Sequence, residues 1–190
     1  MSTATTEILK SYLKDLQALL AEQDLALLDT VIAKLKEAWE ADKQIFIFGN
    51  GGSAATASHF VCDLQKGVSD ITGKPMRAIS LTDQVPLITA WANDTDYSNI
   101  FAKQLQMLCN EGDVALAISG SGNSPNVLRG IETAKSKGAY CIGFTGFVSG
   151  GKLAPLCDLA LIVPSNNMQR VEDLHAIWMH CIYTALIYSS

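Results

Sequence analysis

The sequence predicts an α/β protein built on a doubly wound parallel sheet, and three observations carry that prediction. Five short, largely apolar runs lie at 45–48, 77–81, 114–118, 140–144 and 159–163. Unbroken runs such as Ile45-Phe46-Ile47-Phe48 suit strands buried on both faces, as in a parallel sheet. Segments of helical periodicity separate the runs, and a strand–helix alternation of this kind winds helices onto both faces of one sheet. In such sheets ligands sit beyond the carboxyl ends of the strands, where the strand order reverses.

The elements follow in order. Residues 7–40 read as two helices, because Ile8, Tyr12, Leu16 and Leu19, then Leu27, Val31, Leu35 and Trp39, recur at helical spacing. Gln23-Asp24 is the break between them, and the pattern changes at Asp42-Lys43. Helices are then expected at about 54–66, 84–92, 98–109 and 125–137, with a short one near 151–156 and a long one from Met168 to Tyr188. No linker, low-complexity tract or internal repeat interrupts the chain.

Composition narrows the function classes. The 190 residues are 48% hydrophobic and 17% charged, a balance that excludes disorder. The 14 Lys and Arg against 19 Asp and Glu leave a net charge of −5, with no basic block. Nucleic-acid binding through phosphates is therefore not expected. No apolar run approaches the roughly 18 residues that a membrane span requires, so no membrane partner is expected either. Residues 1–7 carry no basic region ahead of an apolar core, and a cytoplasmic location is the expectation. The five cysteines, an odd number with no C-x-x-C pair, mostly sit in apolar runs and read as small buried hydrophobes.

Two loops have the chemistry of phosphate holders. The first, Gly49-Asn50-Gly51-Gly52-Ser53, runs from a strand into a helix start, where backbone N–H groups and the helix dipole favour an anion. It satisfies the loose G-x-G-x-x-A dinucleotide pattern, but the acid expected about 20 residues on is misplaced. Asp70 precedes the second strand and Asp83 follows it. The Lys of a nucleotide P-loop is also missing. A tight turn without a ligand is the competing reading. The second loop, Ser119-Gly120-Ser121-Gly122-Asn123-Ser124, ends in an N-cap serine followed by Pro125 at the first helical position. A capped turn needs only Ser124, so Ser119 and Ser121 exceed the structural requirement and point to a phosphate monoester.

At these loops the chain resembles the sugar isomerase (SIS) domain family, and within it the phosphoheptose isomerases. The resemblance extends over His59-Phe60, Asn93-Asp94, Gly112-Asp113 and the last helix, almost the whole length. It implies a three-layer sandwich with a five-stranded parallel sheet, as a single domain over 1–190. Residues 1–42 would be helices used in oligomerisation, and 43–190 the sheet with its flanking helices. It also implies a homotetramer with sites shared between subunits. The implied reaction converts D-sedoheptulose 7-phosphate into D-glycero-D-manno-heptose 7-phosphate through an enediol, feeding lipopolysaccharide or similar glycan synthesis. Asn50, Gly51, Gly52, Ser53, Asn93, Asp94, Ser119, Gly120, Ser121 and Ser124 would bind the sugar phosphate, with Asp63 and Glu172. Asp63 and His180 would be catalytic, and His59, Asp63, Glu172 and His180 would hold one Zn²⁺ per subunit.

The residues themselves constrain that assignment. His59 and Asp63 are four apart and share a helix face, fit for one metal or an acid–base pair, or for a plain surface ion pair. His175 and His180 are about 140° apart on the last helix, so they cannot both face one site. Glu172 and His180 are separated by about 12 Å of helix rise, whereas zinc ligand atoms lie about 2 Å from the metal. Either helices of two subunits meet at the site, or one of the pair is not a ligand; the first agrees with an obligate oligomer. Three positions depart from the family pattern. Asp63 stands in place of Glu, Glu172 in place of Gln and Gly120 in place of Thr. These departures keep open an isomerase of another ketose phosphate. A non-catalytic SIS protein acting through contact with a replication initiator is the alternative from another class, although such proteins lack the acid and histidine kept here as Asp63 and His180.

Overall fold

The computed structural model describes residues 3–188. Two helices, α1 (Thr3–Ala21) and α2 (Leu25–Glu40), precede the sheet, and Asp24 caps α2 by accepting the Ala26 N–H at 2.9 Å. Five strands follow: β1 (Ile45–Gly49), β2 (Ala78–Ser80), β3 (Val114–Ser119), β4 (Tyr140–Thr145) and β5 (Leu159–Ile162). All neighbours pair in parallel, in the order β2-β1-β3-β4-β5. The remaining helices are α3 (Gly52–Cys62), α4 (Ser69–Thr72), α5 (Val85–Asp94), α6 (Ile100–Leu108), α7 (Pro125–Ser136) and α8 (Met168–Tyr188). The expected helix at 54–66 is longer than its periodicity suggested: α3 passes through a π-helical turn, Asp63–Val68, directly into α4. The short helix near 151–156 is a 3₁₀ turn at Ala154–Leu156.

Alternation along the strands makes the three layers. Ile45 and Ile47 of β1, with Val114, Leu116 and Ile118 of β3, face a core completed by α2, α3 and α8. Phe46 and Phe48, with Ala115 and Ala117, point the other way into the layer of α6 and α7. Every one of these side chains is buried, which is why the strands read as unbroken apolar runs. Among the described residues no helix is long and apolar enough to cross a membrane.

The strand order reverses at β1, which pairs with β2 on one side and β3 on the other. Both glycine- and serine-rich loops leave the carboxyl ends of β1 and β3, side by side at that switch point. Gly49 allows the close approach, since a Cβ there would lie 2.6 Å from the Ile118 carbonyl oxygen.

His175 is the structural member of the two α8 histidines. It is 1% exposed, packs its ring 5.4 Å from Trp178 and 6.0 Å from Phe144, and donates from Nε2 to the Thr145 carbonyl at 3.2 Å. Burial holds its pKa down at about 4, against an ordinary 6.5. Between those values the unfolded chain binds a proton that the folded one refuses, so stability is lost as pH falls from 6.5 toward 4. The full effect is on the order of 3 kcal/mol. Urea unfolding at pH 7 and pH 5 should show about 2 kcal/mol of that loss, and His175→Gln should have a visibly smaller difference between the two pH values. An equal difference in the variant would remove His175 from the account.

Candidate active site

The two loops form a small cup at the switch point. A cavity of about 120 Å³ is lined by Asn50, Ser53, Ser119, Gly120, Ser121 and Ser124, and closed by Met168 and Glu172 from the start of α8. Seven of the residues expected to bind the sugar phosphate therefore converge here. Gly51 sits at the mouth as the N-cap residue of α3, with φ +56°, and Gly52 opens that helix. Asn93 and Asp94 stand outside the cup, at the exposed carboxyl end of α5, bonded to one another at 2.8 Å.

Ser124 holds the N-cap position of α7, and Pro125 follows at the first helical position. Its hydroxyl nevertheless makes no capping bond. Its backbone carbonyl accepts the Val127 and Leu128 N–H groups at 3.0 Å each, and its side chain is left to the cup. The sequence identifies the cap position correctly and misassigns the hydroxyl. Gly120, where the family has Thr, is explained by its neighbour, because a Cβ at 120 would collide with Met168 Sδ. The thioether of Met168 fills the space that a larger residue would take, a role with no signal in the sequence.

A second group lies about two to three turns further along, at the end of α3 and the start of the π-helical turn. His59, Asp63 and His180 bring one ligand atom each within 4.8 Å of the others. Asp63 Oδ2 is 3.7 Å from His59 Nε2 and 3.9 Å from His180 Nε2, and the two imidazoles meet edge to face at 5.1 Å. Ligands about 2.1 Å from a tetrahedral zinc lie about 3.4 Å apart, so this nitrogen–nitrogen–oxygen set would draw together by up to about 1.4 Å to hold such an ion. Both histidines are about half exposed, which leaves open coordination positions.

The four-ligand set does not assemble within one protomer. Glu172 lies at the other end of the α3–α8 contact, its carboxylate against the first residue of α3: a Cβ on Gly52 would be 2.7 Å from Glu172 Oε1. The cause is the helix rise, since eight residues of α8 separate Glu172 from His180.

With this geometry in view, the relatives are decisive. Residues 10–146 match the sequence model of the SIS domain. The phosphoheptose isomerase of Helicobacter pylori (strain P12) is 40% identical over 94% of this chain and 88% of its own length. That of Aneurinibacillus thermoaerophilus is 38% identical over 87% and 83%. The chain belongs to the SIS-domain phosphoheptose isomerase family. Among solved structures, a phosphoheptose isomerase from Francisella tularensis superimposes with a TM-score of 0.91 at 30% identity, covering 100% of both chains. The GmhA phosphoheptose isomerase of Neisseria gonorrhoeae gives 0.88 at 28% identity, over 96% of this chain and 98% of that one. The five-stranded SIS sandwich expected from the sequence is thus the fold of this protein.

The free Ser124 hydroxyl generates a prediction. Removing an N-cap hydroxyl ordinarily costs about 1 kcal/mol. Ser124→Ala should change unfolding stability by less than about half of that, while weakening the binding of inorganic phosphate measured by calorimetry. A full capping loss with unchanged phosphate affinity would mean that the hydroxyl serves the helix alone.

Proposed function

We propose that this protein is a phosphosugar aldose–ketose isomerase that interconverts D-sedoheptulose 7-phosphate and D-glycero-D-manno-heptose 7-phosphate. The observation that carries the reading is the pairing of a serine-lined cup at the switch point with a carboxylate flanked by two imidazoles, both on the α3–α8 contact. The family membership supplies the substrate.

The chemistry follows from the carbonyl. In the ketose, C1 is acidic because it adjoins the C2 carbonyl, and Asp63 takes a proton from it. Electrons move into the C1–C2 bond, and the C2 oxygen gains a proton to give the enediol. His180 gives that proton to the C2 oxygen and removes the one on the C1 oxygen. Asp63 then returns its proton to C2, leaving the aldehyde at C1. Ser119, Ser121 and Ser124, with N–H groups at the start of α7, hold the phosphate so that C1 and C2 lie in one place. His59, Asp63 and His180 are the residues that would hold zinc, which supplies Lewis-acid polarisation of the sugar's carbonyl and adjacent hydroxyl when bound.

Glu172 completes the ligand set from a neighbouring protomer in this proposal, within a homotetramer. Two features support the assembly. Ile8 (69% exposed), Leu9 (55%) and Leu13 (63%) leave one side of α1 apolar and open. His180 also borders an apolar hollow of about 530 Å³ with Ile177, Ala185 and Tyr188, a surface that another chain would close.

Zinc-loaded protein should convert sedoheptulose 7-phosphate and lose most of that activity to a chelator. His180→Ala and Asp63→Asn should each lower kcat by at least about 10²-fold, with circular dichroism unchanged. Protein that leaves sedoheptulose 7-phosphate and a panel of other ketose phosphates unaltered would end the isomerase reading. Turnover of a different ketose alone would replace the substrate.

A further inference from the structure

Beside the serine cup lies a wider cleft of about 570 Å³, and the two share Asn50 and Ser124. Its floor is a hydrogen-bonded group drawn from three separate segments. Asn126, in the first turn of α7, is only 2% exposed. Its amide faces the amide of Asn50 in a reciprocal pair: Asn126 Nδ2 donates to Asn50 Oδ1 at 2.8 Å, and Asn50 Nδ2 donates to Asn126 Oδ1 at 2.9 Å. Tyr97, on the 3₁₀ turn Tyr97–Asn99, donates its hydroxyl to the same Asn50 Oδ1 at 3.1 Å.

The direction of every bond in this group is fixed. The Val127 N–H donates to Asn126 Oδ1 at 3.1 Å, so the oxygen of that amide must face it. Asn50 must then present Nδ2 to that oxygen and Oδ1 to Asn126 Nδ2, which leaves the tyrosine hydroxyl as a donor. Both lone pairs of Asn50 Oδ1 are thereby occupied. The Tyr97 turn is itself pinned, by Asp96 Oδ1 accepting the Ser98 N–H at 2.8 Å and by Arg129 Nη1 donating to Asn99 Oδ1 at 2.8 Å.

We propose that Asn126 is a positioning residue: its amide pair with Asn50, buttressed by Tyr97, sets the spacing between the Gly49–Ser53 loop and the Ser119–Ser124 loop. The proposal rests on the reading of those loops as phosphosugar holders and deepens it. Asn50 lies 76 residues from Asn126, and the two loops belong to different strands, so strand pairing alone leaves their tips free to move relative to one another. The clasp removes that freedom, and it leaves one Asn50 N–H and the Tyr97 oxygen lone pairs for a ligand in the adjoining cleft. A buried amide pair satisfied on both sides is suited to this, because breaking one member strands the other.

The test measures kcat and KM for sedoheptulose 7-phosphate, and calorimetric affinity for inorganic phosphate, in wild-type protein, Asn126→Ala, Asn50→Ala, the double variant and Tyr97→Phe. Asn126→Ala should raise KM about tenfold with kcat held within about threefold. Asn50→Ala should do the same, and the double variant should be no worse than the poorer single one, since all three remove one link. Tyr97→Phe should raise KM by about twofold to threefold, and it carries the same readout if Asn126→Ala does not fold. A merely structural amide would lower the melting temperature and leave KM alone; that outcome, or multiplicative effects in the double variant, overturns the proposal. If wild-type protein binds phosphate without isomerising the sugar, and Asn126→Ala weakens that binding about tenfold, the isomerase reading falls and the clasp stands. If wild-type protein neither binds phosphate nor isomerises the sugar, both fall.

Discussion

The packing of α8 along α3 is the constraint on which the rest of the site depends. The two helices run side by side, and glycines on the α3 side permit close approach at both ends. Gly52 receives the Glu172 carboxylate, and Gly67 in the π-helical turn receives the Tyr183 ring, whose Cε2 would be 2.6 Å from a Cβ. Between these points His180 reaches His59 and Asp63. The ion pairs do not hold this arrangement. At 3.7 and 3.9 Å, with both imidazoles half exposed, they contribute little. Val171, Leu174, Trp178, Met179 and Ile182 of α8 hold it, packed in one core with Phe60, Val61 and Leu64. The cluster is thus placed by buried apolar surface rather than by its own ion pairs.

Much of this was legible in the sequence, and what was not has a physical cause. The central strands β1 and β3 could be read because both faces of each are buried, so residue type carries the signal without any knowledge of partners. The loops could be read because glycine and serine at a strand end answer a local requirement, close approach to an anion. The pairing of His59 with Asp63 follows from a four-residue spacing on one helix. Relations between distant segments were not legible. The eight-residue spacing did separate Glu172 from His180 on α8, but the place of the Glu172 carboxylate against Gly52 of α3 has no local signal. Asn93 and Asp94 form an adjacent pair in the sequence, bonded to one another at the end of α5 and not among the residues lining the cup. Asn126 is a single buried amide whose partner is 76 residues away, and periodicity is blind to it.

The departures from the family pattern can be weighed against the geometry. Gly120 lacks the volume of Thr, and the Met168 thioether occupies that volume, so the cup keeps its floor. Asp63 is shorter than Glu by one methylene, yet its carboxylate still comes within 3.9 Å of both imidazoles. It does so from the first residue of the π-helical turn Asp63–Val68. Two of the three changes therefore have a local structural counterpart that preserves the shape of the site.

The third change bears on which loop takes the phosphate. Glu172 places a carboxylate against the first residue of α3, where the helix dipole presents roughly half a positive charge. That end of α3 already faces an anion, and a phosphate dianion brought to it would meet like charge at short range. The start of α7 contributes Ser119, Ser121 and Ser124 to the same cup, all neutral, with the Ser124 hydroxyl making no bond to its own helix, and Glu172 closes that cup from α8. Under the proposed function the α7 serines supply neutral donors to the phosphate, and Glu172 puts the negative charge on the α3 side of the same cup. The Gly49–Ser53 loop forms the opposing wall, with Asn50 hydrogen-bonded to Asn126 at the start of α7. A glutamine at 172 would remove the negative charge from the wall of the cup, so the difference between Gln and Glu changes how the whole cup meets a phosphate dianion.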